Sequence, residues 1–253
     1  KLLCANFANI VYIVALFRKK AMLWFIEISK IFEKKTENTN KTEKIYKNVR
    51  IILRLHAKQD KIYCIQENNR GYIMEKIYET AYAKINLGLD VLGKRSDGYH
   101  EVRMVMQSVG LSDAVEIEEG EGLVVETDHS GLAGGPDNLA WKAAELLARC
   151  CGKIPNVHIR LNKKIFLAAG LAGGSSDAAA VMRGLSRLWQ LDLTAPELEK
   201  LAAELGSDIP FCITGGTALA EGRGEILTEL PEAPELLLVL AKPKLEVATG
   251  WVY

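Results

Sequence analysis

The chain has 253 residues, 49% hydrophobic and 25% charged, and its 32 Lys+Arg balance 32 Asp+Glu. This excludes a fibrous or wholly disordered chain and leaves room for one large or two small domains. The balance conceals an asymmetry, with 15 basic against 6 acidic residues over 1–73 and 17 against 26 over 74–253; the acidic second part has no basic aromatic stripe, so no nucleic-acid partner is expected.

Residues 1–73 read as a poorly ordered basic extension that need not be native, with Met74 as a candidate start. The uncharged run Leu2–Phe17 is followed by Arg18-Lys19-Lys20, but it falls short of the roughly 20 apolar residues a spanning helix needs. Asn6 and Asn9 interrupt it, and no signal-peptide cleavage pattern follows. A membrane anchor is therefore the lesser reading, and the expected location is the cytoplasm. Five scattered cysteines (Cys4, Cys64, Cys150, Cys151, Cys212) form no CxxC pair, which suits reduced thiols. Cys212 is expected to be a small core residue rather than a nucleophile.

From Ala81 to Val91 apolar residues occupy the odd positions, while Tyr82, Lys84, Asn86, Gly88 and Asp90 occupy the even ones. This period of two predicts a strand with Lys84 and Asn86 on the face opposite its core side. "SDG" at 96–98 carries turn chemistry, and "EVRMVMQSVGLSDAVEIEE" and "GLVVETD" predict further strands separated by Gly and Asp. A helix is expected at "GGPDNLAWKAAELLARCCG", with Pro136 and Asp137 in its first turn and Gly152 after its end. "VHIRL" is a short strand. A second helix follows at "SSDAAAVMRGLSRLWQL", with Ser175 or Ser176 as N-cap and Asp177 in the first turn. Thr194 and Glu197 form a capping-box pattern for a third. "SDIPF" reads as an extended loop, "TALAEGRGEILTEL" as two strands around Gly222-Arg223-Gly224, and "LLLVLAKP" as a buried strand. Strands followed by mixed helices and strands fit an α+β domain.

The stretch "GLAGGSSDAAA" sets Gly173 and Gly174 before a helix. Glycines that reach positive φ, next to unpaired helix N–H groups and the positive end of a dipole, make a phosphate cradle. Neither the Gly-Lys-Ser/Thr ending of a P-loop nor a G-x-G-x-x-G fingerprint is present. A Gly/Ala-rich helix entry can also serve close packing alone.

"GLAGGSSDAA" resembles the phosphate loop of the GHMP kinase superfamily. "AKINLGLDVLGKRSDGYHEV" and "LGSDIPF" are similar to segments of one family within it, the 4-diphosphocytidyl-2-C-methyl-D-erythritol kinases. The three motifs come in family order, and the resemblance runs from about residue 77 to 253. It implies a GHMP kinase N-terminal domain (ribosomal protein S5 domain 2-like) over 74–241. It also implies the start of a truncated C-terminal domain at 242–253, most of which is expected to be missing. The implied activity is ATP-dependent phosphorylation, with Mg²⁺, of the 2-hydroxyl of 4-diphosphocytidyl-2-C-methyl-D-erythritol in non-mevalonate isoprenoid biosynthesis.

The resemblance implies roles for individual residues. Lys84 and Asp208 would flank the reacting hydroxyl. Gly170, Leu171, Ala172, Gly173, Gly174, Ser175 and Ser176 would bind the triphosphate, and Lys163 and Asn138 the base region. Asn86, Tyr99, His100 and Thr249 would hold the acceptor, with Tyr99 offering a ring for stacking and His100 a hydrogen-bonding edge. Taken alone, a Lys on an open strand face is usually just solvated, an Asp after Gly-Ser is usually a turn residue, and "DGYH" is a capped turn. Metal ligands and oligomeric state are not legible. Phe166 departs from the family pattern, which has Pro there. Other readings are another GHMP small-molecule kinase and an inactive fragment that only binds nucleotide.

Overall fold

The computed structural model describes residues 12–16, 63–67 and 73–242. Its nine strands are β1 (Tyr12–Leu16), β2 (Tyr63–Glu67), β3 (Ile73–Lys94), β4 (His100–Glu119), β5 (Leu123–Thr127), β6 (Val157–Asn162), β7 (Thr217–Glu221), β8 (Ile226–Glu229) and β9 (Leu237–Ala241). The helices are α1 (Leu139–Cys151), α2 (Gly173–Leu188), α3 (Ala195–Ala202) and α4 (Ile209–Thr214).

Two long strands organise the domain. β3 and β4 pair antiparallel, from Lys76↔Glu118 to Lys94↔His100. The segment expected to hold several strands is instead one strand, β4: Gly110 falls at an irregularity between Ser108 and Ser112 that the sheet absorbs without ending, and Asp113 pairs in register with Ala81. The two ends of β4 pair with different neighbours, Ala114–Glu119 with β6 and Met104–Gln107 with β7. The main sheet therefore runs β2-β3-β4-β6-β5, with β7 and β8 attached beside the lower half of β4. β5 and β6 are parallel and are connected through α1, and a separate pair joins β1 to β9.

Helices α1 and α2 cover one face of the sheet. Ile77, Ala81, Val115, Ile117, Ile159 and Leu161 pack there against Ala143, Leu147, Ala179, Met182 and Leu185. The small residues of α2 matter at this contact: a Cβ on Gly184 would come within 2.4 Å of Ile117 Cδ1, so the helix lies close on the sheet only because that position has no side chain.

The alternation along β3 has the predicted period, but its odd positions pass from one cluster to another. Ile77 and Ala81 join the helix-covered core, whereas Ala83, Ile85 and Leu87 pack with Ile165, Ala169, Leu171, Leu236, Leu238 and Leu240. The change coincides with the register shift between Tyr82 and Lys84. Lys84 and Asn86, expected on an open face, are buried, at 4% and 2% exposure.

Three helix starts differ in detail from expectation. α1 is capped by Asn138, whose Oδ1 accepts from the Ala140 N–H at 2.9 Å, so Pro136 and Asp137 stand before the first turn. α2 begins at Gly173 after Ala172, and neither Ser175 nor Ser176 caps it; Asp177 lies beyond the first turn. "SDIPF" turns directly into α4 rather than staying extended, since Pro210 is well suited to a helix's first turn. The Thr194/Glu197 capping box, the β7–β8 hairpin and the strand at β9 are as the sequence predicts.

Candidate active site

The register shift that re-aims β3 also places its lysine. At Lys84 the backbone N–H donates to Leu171 O at 3.0 Å, which ties the strand to the glycine-rich loop instead of to β4. The Lys84 ammonium lies 3.2 Å from Asp208 Oδ2 and donates to Asn86 Oδ1 at 3.3 Å. Asp208 is the residue before α4. That short helix is held from behind by Arg183 of α2, whose guanidinium donates to Cys212 O at 2.6 Å and to Glu79 Oε2 at 3.1 Å. A strand, a helix terminus and a loop thus meet at one ammonium and one carboxylate.

The loop takes its shape from three residues in the left-handed region: Ala168 (φ 49°), Gly170 (φ 69°) and Ala172 (φ 57°). Gly173 and Gly174, expected to supply positive φ, are already helical. Their lack of side chains matters for another reason. A Cβ on Gly173 would sit 3.0 Å from Ile165 Cγ2, and one on Gly174 would stand 3.4 Å from Leu139 Cδ1 at the cavity wall. The first N–H groups of α2 have no partner within the helix and carry the positive end of its dipole.

A cavity of about 740 Å³ opens over this helix start. Lys84, Asn86, Tyr99, His100, Asp208 and the loop from Gly170 through Ser175 all line it. Phe166, the departure from the family pattern, lines it as well and is 39% exposed. Lys94, Leu139, Ser207 and Arg223 also line the cavity, and no motif in the sequence marks them as site residues. The sequence marks Arg223 only as the middle of a turn; no local signal says that this turn folds over Tyr99.

Three expected site residues are engaged elsewhere. The Ser176 hydroxyl is 1% exposed as part of its residue and donates to Tyr82 O at 2.6 Å and to Cys212 Sγ at 3.3 Å, which fastens α2 to β3. The Asn138 amide caps α1 and donates to Ala133 O at 2.8 Å. The Lys163 ammonium is buried between two carboxylates, bonding Asp113 Oδ2 at 2.5 Å and Asp177 Oδ2. Lys163 lies just behind the loop, its Nζ 3.7 Å from where a Gly173 Cβ would be. Thr249 lies outside the described residues.

Burial sets the electrostatics of this second layer. It pushes the Asp177 carboxyl up to about 7, against the pull of the Lys163 ammonium and helped by the neighbouring Asp113 carboxylate. Asp177 Oδ1 is buried without a hydrogen-bond partner among the described residues. Burial likewise pushes the Cys212 thiol up to about 12, which fits a core residue and not a nucleophile.

No group of three or more His, Cys, Asp or Glu suited to a metal exists among the described residues. No described helix is long and apolar enough to cross a membrane.

Comparison with known proteins places this geometry. The model of the GHMP kinases N terminal domain matches residues 138–216. A 4-diphosphocytidyl-2-C-methyl-D-erythritol kinase of Acetivibrio thermocellus is 50% identical over 181 residues, covering 71% of this chain and 64% of the relative. One from Synechococcus sp. (strain JA-3-3Ab) is 53% identical over 175 residues, covering 68% and 57%. The crystal structure of a 4-(cytidine 5'-diphospho)-2C-methyl-D-erythritol kinase superposes with a TM-score of 0.53 at 39% identity, over 61% of this chain and 55% of that one. The chain thus spans less than two thirds of the length of these relatives. Within that span, it carries a GHMP kinase N-terminal domain related in sequence and fold to those of the 4-diphosphocytidyl-2-C-methyl-D-erythritol kinases.

Proposed function

We propose that the protein transfers the γ-phosphoryl group of ATP to the 2-hydroxyl of 4-diphosphocytidyl-2-C-methyl-D-erythritol, a step in isoprenoid precursor synthesis. The observation that carries this reading is the meeting of Lys84 and Asp208 at 3.2 Å in a cavity that also holds the glycine loop and Tyr99-His100. The names of the relatives support the choice of acceptor.

The loop fits a triphosphate, because unpartnered α2 N–H groups face a cavity that Gly173 and Gly174 leave clear. ATP with Mg²⁺ supplies the phosphoryl group and neutralises part of its charge. Among the described residues there is no carboxylate cage, and an ion arriving with ATP would be held mainly by phosphate oxygens and water; Ser175, the loop serine on the cavity wall, would contact it. Asp208 accepts the proton of the attacking hydroxyl, as a carboxylate at hydrogen-bonding reach does in general-base catalysis. Lys84 stands beside that carboxylate and stabilises negative charge on the transferred group. Asn86 holds the Lys84 ammonium from the other side. Tyr99 stacks on the cytosine, and His100 meets its polar edge.

The test is a panel of acceptors with γ-labelled ATP: 4-diphosphocytidyl-2-C-methyl-D-erythritol, mevalonate, homoserine and galactose. Label transfer to the first alone is the expected result. Transfer to another acceptor assigns a different GHMP kinase activity, and nucleotide binding without transfer to any assigns a binding fragment.

A further inference from the structure

One cation at the acceptor end of the cavity has no role in the reaction above. Arg223 stands between Gly222 and Gly224, whose φ values are 72° and 116°, at the turn joining β7 to β8. The turn is fixed closely against β4. Gly222 O accepts from the Val102 N–H at 2.8 Å, and a Cβ on Gly224 would come within 2.6 Å of Met104 Cε. Glu225 orients the arginine from behind, accepting from the Arg223 N–H at 2.7 Å and approaching its Nε at 3.4 Å. The guanidinium then lies over the Tyr99 ring, 4.9 Å from its centroid.

An arginine on an exposed ring is worth only about 0.5–1 kcal/mol as a cation–π contact and would by itself be an ordinary surface feature. The cavity gives it more. Arg223 shares the wall with Tyr99, Lys94 and His100, and among the described residues the only carboxylate lining that cavity is Asp208, beside Lys84. A nucleotide-linked acceptor brings phosphates of its own, distinct from the triphosphate at the α2 N-terminus, and these need separate cations. A guanidinium stacked on one face of a ring keeps its N–H groups in a plane around that ring's edge, where a planar fork suits phosphate oxygens.

We infer that Arg223 is a specificity-determining residue: stacked on Tyr99, it binds the diphosphate of the acceptor and so selects a nucleoside diphosphate over the bare nucleoside. This rests on the acceptor reading above. It assigns the two Tyr99 faces to different tasks, one to the arginine and the other to the base.

The experiment is calorimetric binding of cytidine, CDP and the ATP analogue AMP-PNP to the full chain, to Arg223→Met and to Arg223→Lys. Loss of a charge-assisted phosphate contact predicts CDP binding weakened about 10- to 100-fold in Arg223→Met. Cytidine and AMP-PNP should bind as in the parent, and Arg223→Lys should recover part of the CDP affinity. Equal losses for cytidine and CDP would overturn the inference, since Arg223 would then only prop the Tyr99 ring. Undiminished CDP binding in Arg223→Met would overturn it too, and leave the acceptor reading standing. A parent chain that binds AMP-PNP but neither cytidine nor CDP would remove the acceptor reading, and this inference with it.

Discussion

Lys84 Nζ and Asp208 Oδ2 lie 3.2 Å apart although one belongs to a central strand and the other to the start of a short helix. Their exposures differ: the lysine side chain is 5% accessible and the aspartate 32%. The carboxylate is therefore the member open to an acceptor, with the ammonium behind it. Replacement by Lys84→Met is expected to lower acceptor-dependent turnover by about 10²–10³-fold, the range for loss of one preorganised electrostatic partner. Initial-rate kinetics at saturating ATP measure this.

The two loop serines should behave oppositely. Ser176 spends its hydroxyl on Tyr82 O inside the protein, so Ser176→Ala should lower stability by roughly 1–2 kcal/mol, the penalty of an orphaned buried acceptor, without weakening nucleotide binding. Ser175 lines the cavity, and Ser175→Ala should weaken nucleotide binding while leaving the melting temperature near that of the parent. Calorimetry and thermal unfolding on both variants separate the two roles.

Ala172 holds a left-handed backbone, φ 57°, at the entry to α2. That conformation costs an L-residue roughly 1–2 kcal/mol, offset in part by the roughly 0.5–1 kcal/mol of extra chain entropy that glycine brings to the unfolded state. Ala172→Gly should therefore stabilise the protein slightly and keep nucleotide affinity. Gly170→Ala, at φ 69°, should do the reverse. Denaturant midpoints at matched slopes test both.

Burial holds Asp177 protonated up to about pH 7 in the folded chain, while in the unfolded chain it ionises near the usual value of about 4. Between those values the folded state binds the extra proton, so the contribution to stability is fully present below about pH 4 and is lost as pH rises through about 7. Asp177→Asn cannot ionise. Its stability relative to the parent should rise from pH 5 to pH 8 by roughly 1–3 kcal/mol. Urea unfolding of both proteins across that range gives the two slopes.

How far the sequence disclosed this site depends on the kind of signal each residue leaves. The capping box at Thr194-Glu197 and the turn at Gly222–Gly224 are written in local chemistry, and the structure has both. Lys84 shows in the alternation of β3, but its burial does not, because the loop that covers it lies far along the chain. By the resemblance, Ser176 is expected at the triphosphate and Lys163 at the nucleotide's base region. The partners that claim them, Tyr82, Asp113 and Asp177, come from strand β3, strand β4 and helix α2. A single sequence gives the spacing of such residues along the chain and not their pairing in space. Arg223 is the converse case: nothing in "EGRGE" beyond turn chemistry points to a ring brought over from the β3–β4 turn.

The central claim is that Asp208, steadied by Lys84, takes the proton of an acceptor hydroxyl in front of a nucleotide bound at the α2 N-terminus. The most direct measurement is ADP formation with and without 4-diphosphocytidyl-2-C-methyl-D-erythritol, by the parent chain and by Asp208→Asn, alongside AMP-PNP binding to each. The account predicts acceptor-dependent ADP release by the parent, a loss of about 10²–10⁴-fold in the variant, and equal AMP-PNP affinity in both. Turnover in Asp208→Asn at the parent's rate would contradict it.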